Sequence, residues 1–177
     1  MQSRLDVFMT MDRIILIGIW IVTSVLVIIT TPRNKMREAI VIFLFKQALT
    51  WLFGFLVVQY KLLEYPVREF PYASRSSFSF EYFIYPSICI VFNLRFPENK
   101  SVVHKTLWYL FFPSWMTAAE VLLEKHTHLI RYINWHWYWS WGSLLFTFYL
   151  SRLFYLWFMK KQTGGSTSKC TGLFNQQ

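Results

Sequence analysis

A chain of 177 residues that is 55% hydrophobic, 21% aromatic and only 15% charged has too little polar surface for a water-facing domain of its size. Its formal net charge of +9 is the excess of 18 Lys and Arg over 9 Asp and Glu, and the bases lie mostly in loops, scattered with no basic stripe. That pattern argues against a nucleic-acid partner and for loops that face anionic lipid headgroups. Cys89 in an apolar run and Cys170 in a polar one give no disulfide framework, and Cys89 reads as a small buried hydrophobe.

Residues 1–13 are mixed, and residues 14–31 form the first apolar run, close to the ~20 residues that cross a bilayer. Basic residues precede the run, as in a signal peptide. It ends in Thr30-Thr31-Pro32-Arg33 with no small-residue cleavage pattern, and further spans follow, so it reads as an uncleaved anchor. After a basic turn from Pro32 to Glu38, the second predicted span, 39–58, carries Lys46, Gln47 and Thr50. The loop 59–79 contains Pro66 and Pro71, which oppose a continuous helix and predict an extended strap. Tyr60, Tyr65, Phe70 and Tyr72 would hold that strap at the membrane surface.

The third predicted span, 80–94, includes Glu81, Pro86, Cys89 and Asn93 and is short, ~22 Å at ~1.5 Å per residue. The fourth, 107–123, has Pro113 inside it. Pro113 cannot donate to the carbonyl of Tyr109 and its ring crowds that oxygen, which predicts a bend. Trp135, Trp137, Trp139 and Trp141 then alternate with His136, Tyr138 and Ser140, the pattern of a chain passing through a headgroup layer. The fifth span, 138–158, contains Arg152 and stops at Lys160-Lys161. Residues 162–177, with Gly164-Gly165-Ser166, read as a flexible polar tail. The predicted fold class is all-α, an integral membrane bundle of five transmembrane helices, with the bilayer as its first partner.

Lys and Arg set the orientation. Arg33, Lys35, Arg37, Arg95, Lys100, Lys105, Lys160, Lys161 and Lys169 fall on one side. Arg4, Arg13, Lys61, Arg68, Arg75, Lys125 and Arg131 fall on the other. The richer side is expected to be cytoplasmic, which puts the N-terminus outside and the C-terminus inside.

Ionisable groups inside spans are the candidate functional residues, because each is costly in hydrocarbon. Glu81 and Glu120 fall near the outer boundary, Lys46 and Arg152 toward the inner one, so the acids and bases are not expected to pair. Lys46 and Arg152 are expected to snorkel to inner headgroups or to form an inner anion pocket. Glu81 and Glu120 are expected to face the bundle interior and influence each other, bridged by a loop arginine such as Arg68, Arg75 or Arg131. Glu120, Glu124 and His128 repeat every four residues, with Arg131 three further on. A helix continued that far would carry them on one outer face with His126. Their spacing matches no metal motif, and no metal or cofactor is assigned. Nor is there a nucleophile elbow, a phosphate-binding loop or a dinucleotide fingerprint.

Several stretches are distinctive: Tyr65-Pro66-Val67-Arg68, the run Phe78 to Pro86, Phe92 to Glu98, Glu120 to Lys125, and Arg131 to Trp135. Together they resemble a family of small, uncharacterised multi-pass membrane proteins of Bacillus and Clostridium relatives. The resemblance covers nearly all the chain before Lys161. It implies a bacterial plasma membrane and supplies no activity or site.

Three functions fit this reading. The first is a non-enzymatic membrane component that binds a membrane-protein partner or belongs to the envelope, of undefined oligomeric state. The second is a small transporter or carrier subunit using Glu81 and Glu120. The third is a lipid-modifying enzyme, for which only the Glu/His face speaks.

Overall fold

The structure, a computed structural model, describes residues 2–171 other than Arg68, Pro71 and Ala73, with side chains described between 11 and 160. Arg68 therefore lies outside the described residues. The protein is all-α, and the described residues form five α-helices, a short 3-10 turn (Arg33–Lys35) and one very short strand pair. The helices are α1 (Gln2–Thr30), α2 (Met36–Gln59), α3 (Tyr85–Leu94), α4 (Val102–His126) and α5 (Trp137–Thr171). Their centres match the five apolar runs. α2 and α4 run past theirs at both ends, and α3 starts later than expected, at Tyr85. α5 continues as far as Thr171 into the stretch read as a polar tail, of which residues 172–177 lie outside the described residues. Two segments, Met11–Thr30 and Arg33–Gln59, are long and apolar enough to cross a membrane. α4 and α5 are as long, but Trp, Tyr, Ser, Pro113 or Arg152 interrupts their apolar residues.

The shortest helix is the central one. Ile88, Cys89, Ile90 and Phe92 of α3 are buried, and α1, α2 and α5 all pack on α3. The Phe92 ring sits 4.8 Å from Phe148, 5.2 Å from Tyr109 and 5.4 Å from Phe112, centroid to centroid, so α4 and α5 meet on it.

A π-helical segment, Ser79–Ile84, leads into α3. Its cause is Pro86, which has no N–H to offer the carbonyl of Tyr82. The N–H of Tyr85 reaches five residues back to Phe80, which frees the carbonyl of Glu81 as well. Side chains of α2 take both oxygens: Thr50 Oγ1 donates to Glu81 O at 2.7 Å and Gln47 Nε2 to Tyr82 O at 3.4 Å. The polar residues of the second run are thus the partners of the irregular turn, and the freed backbone is satisfied without water. α4 passes through Pro113 unbroken.

Contacts between loops define two ends. At one, strand β1 (Leu63–Glu64) pairs antiparallel with β2 (Arg131–Tyr132), and the opposed side chains Arg131 and Glu64 form an ion pair. Val67 N–H donates to His128 O at 3.3 Å, and His128 N–H to Asp12 of α1 at 3.2 Å. At the other end Arg152 of α5 bonds Glu98 at 2.5 Å and Tyr155 bonds Glu38 of α2 at 2.6 Å. The strap and the 127–136 loop together form a lid on the first end.

Candidate functional site

Beneath the lid is a cavity of about 80 Å³. Leu63, Tyr65 and Trp135 roof it, Thr50 and Gly54 of α2 form one wall, and Ser140, Ser143 and Thr147 of α5 form another. Glu81 and Glu120 both line it. Both residues thus border the same cavity.

Their environments differ sharply. Glu120 Oε1 accepts from Ser140 Oγ at 2.7 Å and from Tyr132 Oη at 2.8 Å, while Oε2 has only a long bond, 3.4 Å, from Tyr85 Oη. Burial, then the adjacent Glu120 carboxyl, holds the Tyr132 phenol far above its usual range. The Tyr65 phenol is raised by burial first and then by Glu81 and Glu120. Both phenols therefore keep their protons and remain potential donors.

Glu81 is 2% exposed, and neither of its oxygens has a hydrogen-bond partner among the described residues. The Ser76 hydroxyl lies where it favours the charged Glu81 carboxyl, but the hydrogen bond of good geometry that it makes is with Ser74, at 2.8 Å. Gly54 makes room for it: a methyl group there would overlap the Glu81 carboxyl. A carboxyl this buried and without a hydrogen-bond partner, bordering a cavity, is the candidate binding group of the molecule.

Of the loop arginines expected to bridge the pair, Arg68 lies outside the described residues and neither of the other two does so. Arg131 is drawn to Glu64 across the strand pair, Arg75 is exposed, and hydroxyls take the role at Glu120. The outer polar face is also corrected. α4 ends at His126, and Thr127 turns into extended backbone, so His128 and Arg131 leave the face that Glu120 and Glu124 share. His126 is exposed, with Nδ1 3.0 Å from the carbonyl of Leu122. Among the described residues, no group of three or more His, Cys, Asp or Glu could hold a metal ion.

The bases do not snorkel. Lys46 is 0% exposed, with Nζ 2.5 Å from Thr147 Oγ1 and 4.6 Å from the centroid of the Phe148 ring. α2 begins at Met36, which puts Lys46 ~15 Å along the helix, deeper than the sequence suggested. Arg152 bonds Glu98 and, at 3.2 Å, the carbonyl of Asn93, and its guanidinium lies 4.1 Å from the Phe96 ring. Each base has its own partners, so they form no joint anion pocket.

Sequence reasoning missed the inward stripe of α5. Ser140, Ser143, Thr147 and Ser151 recur at helical spacing. Three of them bond Glu120, Lys46 and the Cys89–Asn93 pair of α3, while Phe146, Tyr149, Leu153, Leu156 and Trp157 point outward. The 3-4-4 spacing was the available signal. Comparison with known protein families, curated proteins and solved structures finds no match.

Proposed function

We propose that the chain is a five-crossing integral membrane protein, N-terminus outside, that binds a proton or a small cationic group between Glu81 and Glu120. It acts as a binding component and not as an enzyme. Five crossings are supported by the apolar residues exposed along α1, α2, α4 and α5 and by the polar interior of α5, an arrangement suited to lipid. They are also supported by the way loop contacts alternate between two ends. The motif resemblance adds a bacterial plasma membrane as the location.

One observation carries the binding reading: the buried, unpartnered Glu81 carboxyl in a cavity shared with Glu120. Lys46 bonds Thr147, a residue of the cavity wall, so a positive charge sits at the floor and opposes onward passage of a cation. That favours binding from the lid half over a through-channel. The carrier reading keeps one specific support, the polar stripe of α5 leading from the cavity toward Arg152. The partner-binding reading keeps another, the apolar face of α1. The enzyme reading loses its basis, because the histidines do not gather around Glu120.

The test is thermal unfolding of the purified protein in lipid nanodiscs with and without methylammonium. The wild-type Tm is expected to rise with methylammonium, and the Glu81→Gln Tm to stay fixed. Equal responses, or no response to methylammonium, ammonium or sodium, would sink the binding reading. Alkaline phosphatase fused within 66–75 is expected to be active, and fused after Lys161 inactive; the reverse would overturn the orientation.

A further inference from the structure

A second, larger space adjoins the cavity. Between α1 and α4 runs an open groove of about 700 Å³, lined by apolar residues that include Val22, Trp115, Ala119 and Leu123. Gly18 lies on its floor, and a side chain there would meet nothing within 4 Å. The α1 positions that line it, from Ile15 to Leu26, extend ~17 Å along the helix. Tyr85 belongs to the wall of both spaces, and its hydroxyl makes the long bond to Glu120. One phenol therefore separates an apolar slot facing lipid from a cavity holding two carboxyls.

We propose that the ligand is an amphiphile with a primary ammonium head, which enters sideways from the bilayer. Its alkyl tail lies in the α1–α4 groove and its head passes Tyr85 into the carboxyl cavity. The proposal rests on the binding role given above to Glu81 and Glu120 and names the class of ligand. Charge complementarity selects a cation. Hydrogen bonding selects a primary one: an –NH3+ group has three donors and no acceptor. The cavity offers three underused acceptors, both oxygens of Glu81 and Oε2 of Glu120. A quaternary head has no N–H to give them, and it is bulkier than a cavity of about 80 Å³ suits. The lid favours lateral entry, because the paired strands and the buried Tyr65 lie over the aqueous face and narrow it. The tail gains little by leaving lipid for an apolar groove. Its part is to deliver the head from within the membrane.

The experiment is photo-crosslinking in nanodiscs with dodecylamine carrying a diazirine near the tail end. Labelling is expected in peptides covering 15–26 and 115–127. Glu81→Gln, or excess methylammonium, should lower it by about tenfold, the effect of about 1.4 kcal/mol of lost binding. The matching diazirine alcohol and the trimethylammonium analogue should label the lipid-facing helices without that dependence. Ala119→Phe, which fills the groove, should remove the labelling while the methylammonium Tm shift persists. If methylammonium shifts the Tm through Glu81 but the amine labels indiscriminately, lateral entry is wrong and the cavity reading stands. If methylammonium has no effect, the amine proposal falls, and the binding reading falls with it when ammonium and sodium have none either. Crosslinks that join the groove to a second protein would give it to a partner helix and overturn the proposal.

Discussion

The protein buries charge in two regions and treats them differently. In the basic half, Arg152 has a carboxylate, a carbonyl and an aromatic face, and Lys46 has a hydroxyl and a ring. In the acidic half, Glu120 has three hydroxyl donors while Glu81 has no partner among the described residues. Burial alone therefore does not mark a functional group. All four are buried, and what separates Glu81 is the missing partner together with the space left for one.

The strongest way to break this contrast is at Thr147. Thr147→Val removes the one hydrogen bond that the Lys46 ammonium makes among the described residues, and equilibrium unfolding should show a loss of about 3 kcal/mol. Lys46→Met, which removes the charge and keeps the volume, should be nearly neutral. Equal costs for the two would mean that the ammonium is not held as described.

Next come the two acids, where opposite signs are expected. Glu120→Met strands the hydroxyls of Ser140 and Tyr132 and should cost about 2 kcal/mol. Glu81→Met removes an uncompensated carboxyl and should stabilise the ligand-free protein by about 1 kcal/mol. Destabilisation by both would show that Glu81 has a structural partner after all.

Gly54 sharpens the same point. In a helix interior Gly→Ala normally gains about 1 kcal/mol. Here the methyl group would overlap the Glu81 carboxyl, so a net loss of about 1–2 kcal/mol is expected from overpacking. In a Glu81→Ala background Gly54→Ala should become stabilising, and a double-mutant cycle measures that reversal.

The smallest effect lies outside both regions. Lys61 ends α2 at a φ of 53°, a left-handed conformation that glycine adopts more readily. Lys61→Gly should raise stability by about 1 kcal/mol and leave the methylammonium shift unchanged. A change in that shift would mean that the lid edge reaches into the cavity.

Much of this was legible in the sequence because charges are conspicuous in apolar runs. Lys46, Glu81, Glu120 and Arg152 stood out for that reason, and helix order suggested that the two acids would face one space, as they do in the cavity they both line. Their partners did not stand out. Serine, threonine and tyrosine are ordinary in such helices, so Ser140, Thr147 and Tyr132 carried no visible signal one at a time. Arginine was expected at Glu120 because it is the strongest donor, yet a cross-strand carboxylate claims Arg131, and strand pairing between distant loops is not written in local pattern. The same blindness hid α3. A short run was read as a weak span, whereas buried on several sides it is the centre of the bundle. Pro86 was visible, but the π turn it causes became apparent only with Thr50 and Gln47 seated on the freed carbonyls.

The clasp between Leu63–Glu64 and Arg131–Tyr132 also has a meaning in time. Its halves leave the ribosome far apart, with α3 and α4 between them, and contacts of such long sequence separation close late. While the chain is still growing, the strap has nothing to pair with, and the ground above Glu81 lies open. Closure is thus a report of completion: the strap is pinned over the site only when the fourth helix is in place and its following loop has emerged.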